Sequence, residues 1–200
     1  MNLEEYNKVK DFTYREYCDY LQNKYGIGRC DYMNKSWIKN QNVTRTKEGL
    51  LAHHKFEDCA IMLNDKKYAI NNPYEWQMAE NVVYCNYLEH LFLHILICEN
   101  PSPNRNEKEA VGIGGIINHL VPELNDFYSG WQTTQEWRKI CHNVIKNDKD
   151  VYLTLLKRFK QNCFNYPFYT GKCLYTSLND KFRLWSIDKN EALFKEIEYL

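Results

Sequence analysis

The polar and apolar positions of this chain change period several times, and each change predicts an element. From Leu3 to Tyr25, the residues Tyr6, Val9, Phe12, Tyr17 and Leu21 recur near helical spacing, which predicts one amphipathic helix ended by Gly26 and Gly28. Residues 30–48 are polar, with Trp37 and Ile38 as anchors, and read as an irregular connector. Gly49 to Phe56 is a short apolar run entered by glycine, the pattern of a buried strand that carries His53 and His54 at its end. Residues 57–80 form a long excursion, broken at Asn71, Asn72 and Pro73, with a helical turn over Tyr74 to Ala79. Val82 to Cys85 predicts a second strand. Asn86 then caps a helix over 87–98, whose apolar face is Leu88, Leu91, Phe92, Ile95 and Leu96, and Glu99-Asn100-Pro101 stops it.

Residues 101–109, rich in Pro, Asn and charge, are the best candidate linker. Beyond them the pattern is helical over 113–121, 133–147 and 149–163, with Trp131 and Trp137 available for packing, and a last helix is expected over 188–199. Aromatic and β-branched residues around Gly171 predict a hairpin within 165–185. The glycines of Val111 to Asn118 lack the preceding strand and full spacing of a dinucleotide fingerprint, so a helix entry or tight packing site is expected there. The expected fold class is α+β: a two-strand-and-helix core at 49–98 embedded in a mainly helical domain, between a helical segment and connector at 1–48 and a mainly helical region at 99–200.

Charge narrows the partners. The chain has 26 basic and 26 acidic side chains, so a polyanion must be met by a local basic face and not by a global positive field. No apolar run reaches the roughly 18 residues of a membrane span. The first residues lack a secretory pattern, which leads us to expect a cytoplasmic protein with no membrane partner. Eight cysteines without a C-x-x-C pair read as reduced, mostly buried thiols.

The histidines carry the chemistry. Four of the six fall into two tight pairs, His53-His54 and His90-x3-His94. Neighbours on a strand point to opposite faces, so one ring of the first pair can meet a metal while the other faces a substrate. Histidines at i and i+4 share one helix face and can bind a single ion. Either pair alone is weak evidence, because a histidine on an apolar face is usually a satisfied core residue. Their joint spacing, with Asn81 just before the second strand, is what counts.

With HHK at 53–55 and ENVVYCNYLEHLFLH at 80–94, the chain resembles the HNH (ββα-metal) endonucleases, and the histidine one turn beyond His90 is similar to the colicin-type variant. The resemblance covers about 45 of the 200 residues. It implies that His53, His90 and His94 hold one divalent ion (Mg, Mn, Ni or Zn), that His54 is the general base, and that Asn81 orients it. A neutral imidazole can take a proton from water, and a divalent ion offsets charge developing on a phosphate. Hydrolysis of phosphodiester bonds in DNA is therefore the expected activity, in restriction or phage–host conflict. Three departures stand out: 26 residues separate His54 from Asn81, the zinc-ribbon cysteines of many members are absent, and the first ligand is His where Asp is common.

Arg45 and Lys55 are the candidates for holding substrate phosphates, with Lys47 beside them. Cations at 138, 139, 157, 158 and 160 read equally as DNA-tracking groups or as polar helix faces. Glu57, Asp58 and Glu89 are expected to be exposed carboxylates, with a role as acceptors behind the ligands as the sharper option. His119 and His142 read as structural. The competing expectations are a catalytically silent binding protein on the same fold, such as an inhibitor of a host defence protein, and a helical interaction protein with structural zinc.

Overall fold

The structure is a computed structural model that describes residues 1–178 and 188–200. Its elements, in chain order, are α1 (Leu3–Val9), α2 (Tyr14–Tyr25), β1 (Leu51–His54), α3 (Lys66–Ala69), β2 (Val82–Cys85), α4 (Tyr87–Glu99), α5 (Ile113–Gly115), a π-helical turn (Ile116–Leu120), α6 (Val121–Tyr128), α7 (Glu136–Val144), α8 (Lys149–Asn162) and α9 (Asp188–Glu198). This is a mainly helical α+β fold with one two-stranded antiparallel sheet among the described residues.

The single helix expected over 3–25 is two helices. Thr13 accepts from the Glu16 amide, and the Glu16 carboxylate returns to the Thr13 amide at 2.8 Å, a capping box that starts α2 afresh. The break lets α1 and α2 turn separately onto the core. Residues 101–109 are no free linker either. The Ser102 and Asn106 amides donate to the Asp58 and Cys59 carbonyls at 3.3 and 3.1 Å, and the Glu109 carboxylate accepts from the Ile61 amide at 2.8 Å. The described part of the expected hairpin, 165–178, forms turns and no strand, and the remainder of it, 179–185, lies outside the described residues.

Strands β1 and β2 pair with Leu51 opposite Cys85, Ala52 opposite Tyr84, His53 opposite Val83 and His54 opposite Val82. The alternation of a strand then sorts these residues between two faces. Leu51, Val83 and Cys85 join the main core with α2, α4, α6 and α8. Ala52, Val82 and Tyr84 join a smaller cluster with Tyr32, Met33, Val43, Leu50 and Ala69. His53 therefore faces α4, and His54 faces the connector and the 57–80 excursion. Both faces of the small sheet are covered.

Helix α4 is the centre of the molecule: from Tyr87 to Cys98 every side chain but His90 is buried. Its start is held as the sequence predicts. Asn86 accepts from the Leu88 and Glu89 amides, and the Glu89 carboxylate accepts from the Asn86 amide at 2.8 Å. An all-round apolar helix of this kind needs neighbours on every side, which α1, α2, α8, the sheet and the π-turn supply.

Candidate metal centre

The sheet and α4 bring the predicted histidines together. The strand end supplies His53, and His90 and His94 sit one turn apart on the face of α4 that looks at it. His53 Nδ1 is 3.1 Å from His90 Nε2, and His94 Nε2 is 3.2 Å from the same atom. A fourth group completes the cluster: Glu57 Oε2 lies 3.4 Å from His53 Nδ1 and 3.5 Å from His94 Nε2. All four ligand atoms fall within 4.8 Å of one another. Four ligands about 2.05 Å from a tetrahedral ion are about 3.3 Å apart; the four distances that run round the ring His53–His90–His94–Glu57 are close to that edge, and the two across the ring lie within 4.8 Å.

The surrounding hydrogen bonds decide which ring nitrogens face inward. His53 Nε2 meets the Tyr14 hydroxyl at 2.9 Å, and that hydroxyl donates to the His54 carbonyl at 3.2 Å. Tyr14 must then accept from His53 Nε2–H, which leaves the His53 Nδ1 lone pair for the centre. His94 Nδ1 lies 3.0 Å from the Gly112 carbonyl, an acceptor only, so it carries the proton and Nε2 is bare. Two lone pairs and a carboxylate thus surround His90 Nε2. A proton there could reach one of them well, whereas a cation satisfies all of them together.

Burial tunes the same groups. His53 is fully buried, and desolvation pushes its pKa down to about 3 against the opposing pull of Glu57. Desolvation likewise lowers His90, with His94 and His53 adding to it, and lowers His94 against the opposing pull of Glu57 and the Gly112 carbonyl; His119, exposed on the π-turn, adds to the lowering of both. Burial works against ionising Glu57, but His53 first and then His54 and His94 hold its carboxyl well below the usual range. Burial also pushes Tyr14 well above its usual value, so it keeps its proton. At neutral pH the centre is three neutral imidazoles and one carboxylate, the protonation states that bind a divalent ion.

Glu57 was expected to be exposed, and it is instead a member of the cluster. A turn after β1, with the Glu57 amide donating to the His54 carbonyl at 3.1 Å, folds the carboxylate back under the strand end. Asp58 and Glu89 are not exposed either. Asp58 takes a two-pronged ion pair from Arg15 at 2.7 and 2.9 Å, and fully buried Glu89 accepts from Lys24 at 2.8 Å and Tyr25 at 3.0 Å besides capping α4.

His54 points away from the other imidazoles. Its ring packs on Tyr32 at 4.2 Å between centroids, its Nε2 is 3.2 Å from Gln77 Oε1, and it is only 1% exposed. The Gln77 amide nitrogen donates to the Leu63 carbonyl at 3.1 Å, which turns its oxygen to His54. His54 therefore carries its proton on Nε2, and its bare Nδ1 lies 3.5 Å from Glu57 Oε1. The orienting group is Gln77 and not Asn81, whose side chain donates to the Glu75 carbonyl at 2.7 Å. The reason is geometric: Asn81 ends a 3₁₀ turn outside the sheet face that His54 occupies, while the excursion folds Gln77 into it.

The two cations expected to meet phosphates are engaged within the chain. Arg45 pairs with Glu48, donates to the Tyr25 carbonyl and lies 4.7 Å from the Tyr84 ring centroid. Lys55 Nζ pairs with Asp19 at 2.5 Å and reaches Gln22 at 3.3 Å. His142 is structural as expected, paired with Glu123 at 2.7 Å and stacked on Phe127. All eight cysteines are free thiols. No described helix is long and apolar enough to cross a membrane.

No protein family, curated protein or solved structure matches this chain. The fold and centre define it as a mainly helical α+β protein built around a His3Glu cluster that could hold a metal ion.

Proposed function

We propose that His53, Glu57, His90 and His94 hold one divalent transition-metal ion, and that the ion serves hydrolysis of phosphodiester bonds in nucleic acid. The observation that carries the first half is the convergence of three imidazoles and a carboxylate within 4.8 Å of one another, with Tyr14 and the Gly112 carbonyl turning two bare nitrogens inward. Nitrogen-rich ligation favours zinc, nickel, cobalt or manganese over magnesium. The second half is supported by the antiparallel strand pair and following helix that bring the ligands together, the arrangement the HNH resemblance implies. A bound ion would supply Lewis-acid stabilisation of charge on the phosphate. The chain's own residues supply the rest: His54, held by Gln77, offers a bare Nδ1 as proton acceptor beside Glu57, and Tyr14 and Gly112 keep two ligand rings from rotating.

The test is to incubate the purified protein with plasmid, single-stranded DNA and RNA under magnesium, manganese, nickel and zinc, with EDTA and His54→Ala as controls. Metal-dependent cutting is expected, lost in His54→Ala while that variant still binds its ion. Cutting by His54→Ala at the wild-type rate would remove His54 from the chemistry. A second reading, a structural ion, is favoured by the burial of His53 and His94 and by a four-membered ligand set. Stoichiometric ion binding with none of the three substrates cut, and unfolding on chelation, would support it.

A further inference from the structure

Of the glycine-rich stretch at 111–118 only the Gly112 carbonyl enters the function proposed above, yet the structure places more of the stretch against the centre. The Gly112 carbonyl accepts from His94 Nδ1 at 3.0 Å. Gly112 itself has φ +84°, and a Cβ there would meet Cys98 Sγ at 2.9 Å, the His94 carbonyl at 3.0 Å and Ile97 Cγ2 at 3.0 Å. Three residues on, a Cβ at Gly115 would stand 2.4 Å from His94 Cε1 and 2.7 Å from both ring nitrogens. The backbone at Gly115 therefore lies directly on the His94 ring. On its other sides the ring meets those of His90 and His53, at 4.9 and 5.2 Å between centroids. The next residues, Ile116–Leu120, form the π-helical turn, a rare conformation that is frequent at functional sites.

We propose that the turn Gly112–Gly115 is the positioning element of the metal centre: it clamps the His94 ring by its edge and by its face, and so sets how tightly and in what geometry the ion is held. The proposal rests on the metal reading above. An imidazole binds well only when its lone pair points at the ion, and partners behind a ligand ring typically change metal affinity by 10- to 100-fold. Gly112 fixes the tautomer of His94. Gly115 fixes the plane of the ring, because only a residue without a side chain lets the backbone lie against it. A methyl group at 115 would drive the ring towards His53 and His90 and turn Nε2 off the shared centre.

The chain contains its own control. Gly114 lies in the same turn, but a Cβ there meets nothing nearer than Asn118 Nδ2 at 3.9 Å. Gly115→Ala and Gly114→Ala thus carry the same change in backbone freedom and differ in contact with the ring. Zinc affinity would be measured by competition with a chromophoric chelator, and ligand geometry by the visible absorption of the cobalt(II)-loaded protein. Gly115→Ala is expected to lower zinc affinity about 10- to 100-fold and shift the cobalt bands, and Gly114→Ala to leave both at wild type. Wild-type affinity and spectrum in Gly115→Ala would overturn the proposal. Should Gly115→Ala not fold, the His94→Ala background decides: with the ring gone the added methyl has room, so the double variant should be as stable as His94→Ala alone. A persistent loss of stability in that background would overturn it. Failure of the wild-type protein to bind zinc or cobalt would instead bring down the metal reading itself.

Discussion

Replacing Glu57 by Gln tests the centre at the residue the sequence placed elsewhere. The substitution keeps the shape of the side chain while removing the only carboxylate in the cluster, which stands 3.4 Å from His53 Nδ1 and 3.5 Å from His94 Nε2. Metal binding to the folded state alone stabilises by RT ln(1 + [M]/Kd), about 2.7 kcal/mol at a hundredfold excess over Kd. For a chain of this size each kcal/mol raises Tm by about 2–4 °C, so loading wild type should raise Tm by about 5–11 °C. Loss of a direct ligand should weaken binding by at least about 100-fold, the upper end for groups one shell further out. At the same metal concentration the variant is then near half saturation, and its gain falls to about 0.4 kcal/mol, a Tm rise of about 1–2 °C. The assay is a thermal melt of metal-free and zinc-loaded protein, wild type beside variant, by circular dichroism or calorimetry. A zinc-induced rise in Glu57→Gln equal to that of wild type would show that the carboxylate is no ligand, and the four-ligand reading of the 3.1–3.5 Å contacts would fall with it.

Other substitutions probe the supports. Tyr14→Phe strips the acceptor from His53 Nε2 and the donor from the His54 carbonyl, so urea denaturation should show a loss of about 1–3 kcal/mol and zinc competition a weaker centre. Thr13→Ala removes the cap that separates α1 from α2 and should cost about 1 kcal/mol in the same denaturation, with zinc affinity retained. Gln77→Ala and Asn81→Ala should separate cleanly: the first leaves buried His54 Nε2 and the Leu63 carbonyl unpaired, at about 1–3 kcal/mol, while the second loses one exposed bond, at about 1 kcal/mol or less. Equal costs for the two would contradict the assignment of Gln77 as the partner of His54. Lys55→Ala breaks a surface pair with Asp19 and should change stability by less than about 1 kcal/mol; a fall in DNA affinity in a filter-binding or anisotropy assay would show that Lys55 leaves Asp19 for phosphate.

Local spacing carried much of the site into the sequence. The strand end at His53, the cap at Asn86 and the i, i+4 pair on α4 are each read from a few neighbouring residues, and together they place three imidazoles around one point. Strand alternation also separates His54 from His53. What local spacing does not carry is which distant segment covers each face. Gln77 and Tyr32 reach His54 from 23 and 22 positions away, through a connector and an excursion with no periodicity to betray their path. Tyr14 reaches His53 across 39 positions, and only after the Thr13 capping box has redirected the chain. That box, T-x-x-E at 13–16, is a local signal for the start of a second helix.

Glu57 marks the boundary between the two kinds of information. It stands four residues after His53, a spacing that on a helix would place both side chains on one face, but β1 ends between them, so neither the helical nor the strand rule applies. The turn at 54–57 performs the same task by another route, returning the chain under the strand end so that residues four apart meet. Its first effect is electrostatic: three neutral imidazoles alone would offer a cation no compensating charge, and the carboxylate supplies it. Its second is to bind the two faces of the sheet together, because Oε2 meets His53 and His94 while Oε1 accepts from the His54 amide at 3.2 Å and lies 3.5 Å from the His54 ring. The carboxylate that faces the centre is therefore the same one that holds the backbone and ring of His54 on the other face. Replacing Glu57 should therefore weaken both zinc binding at the proposed centre and the hold on the His54 backbone amide.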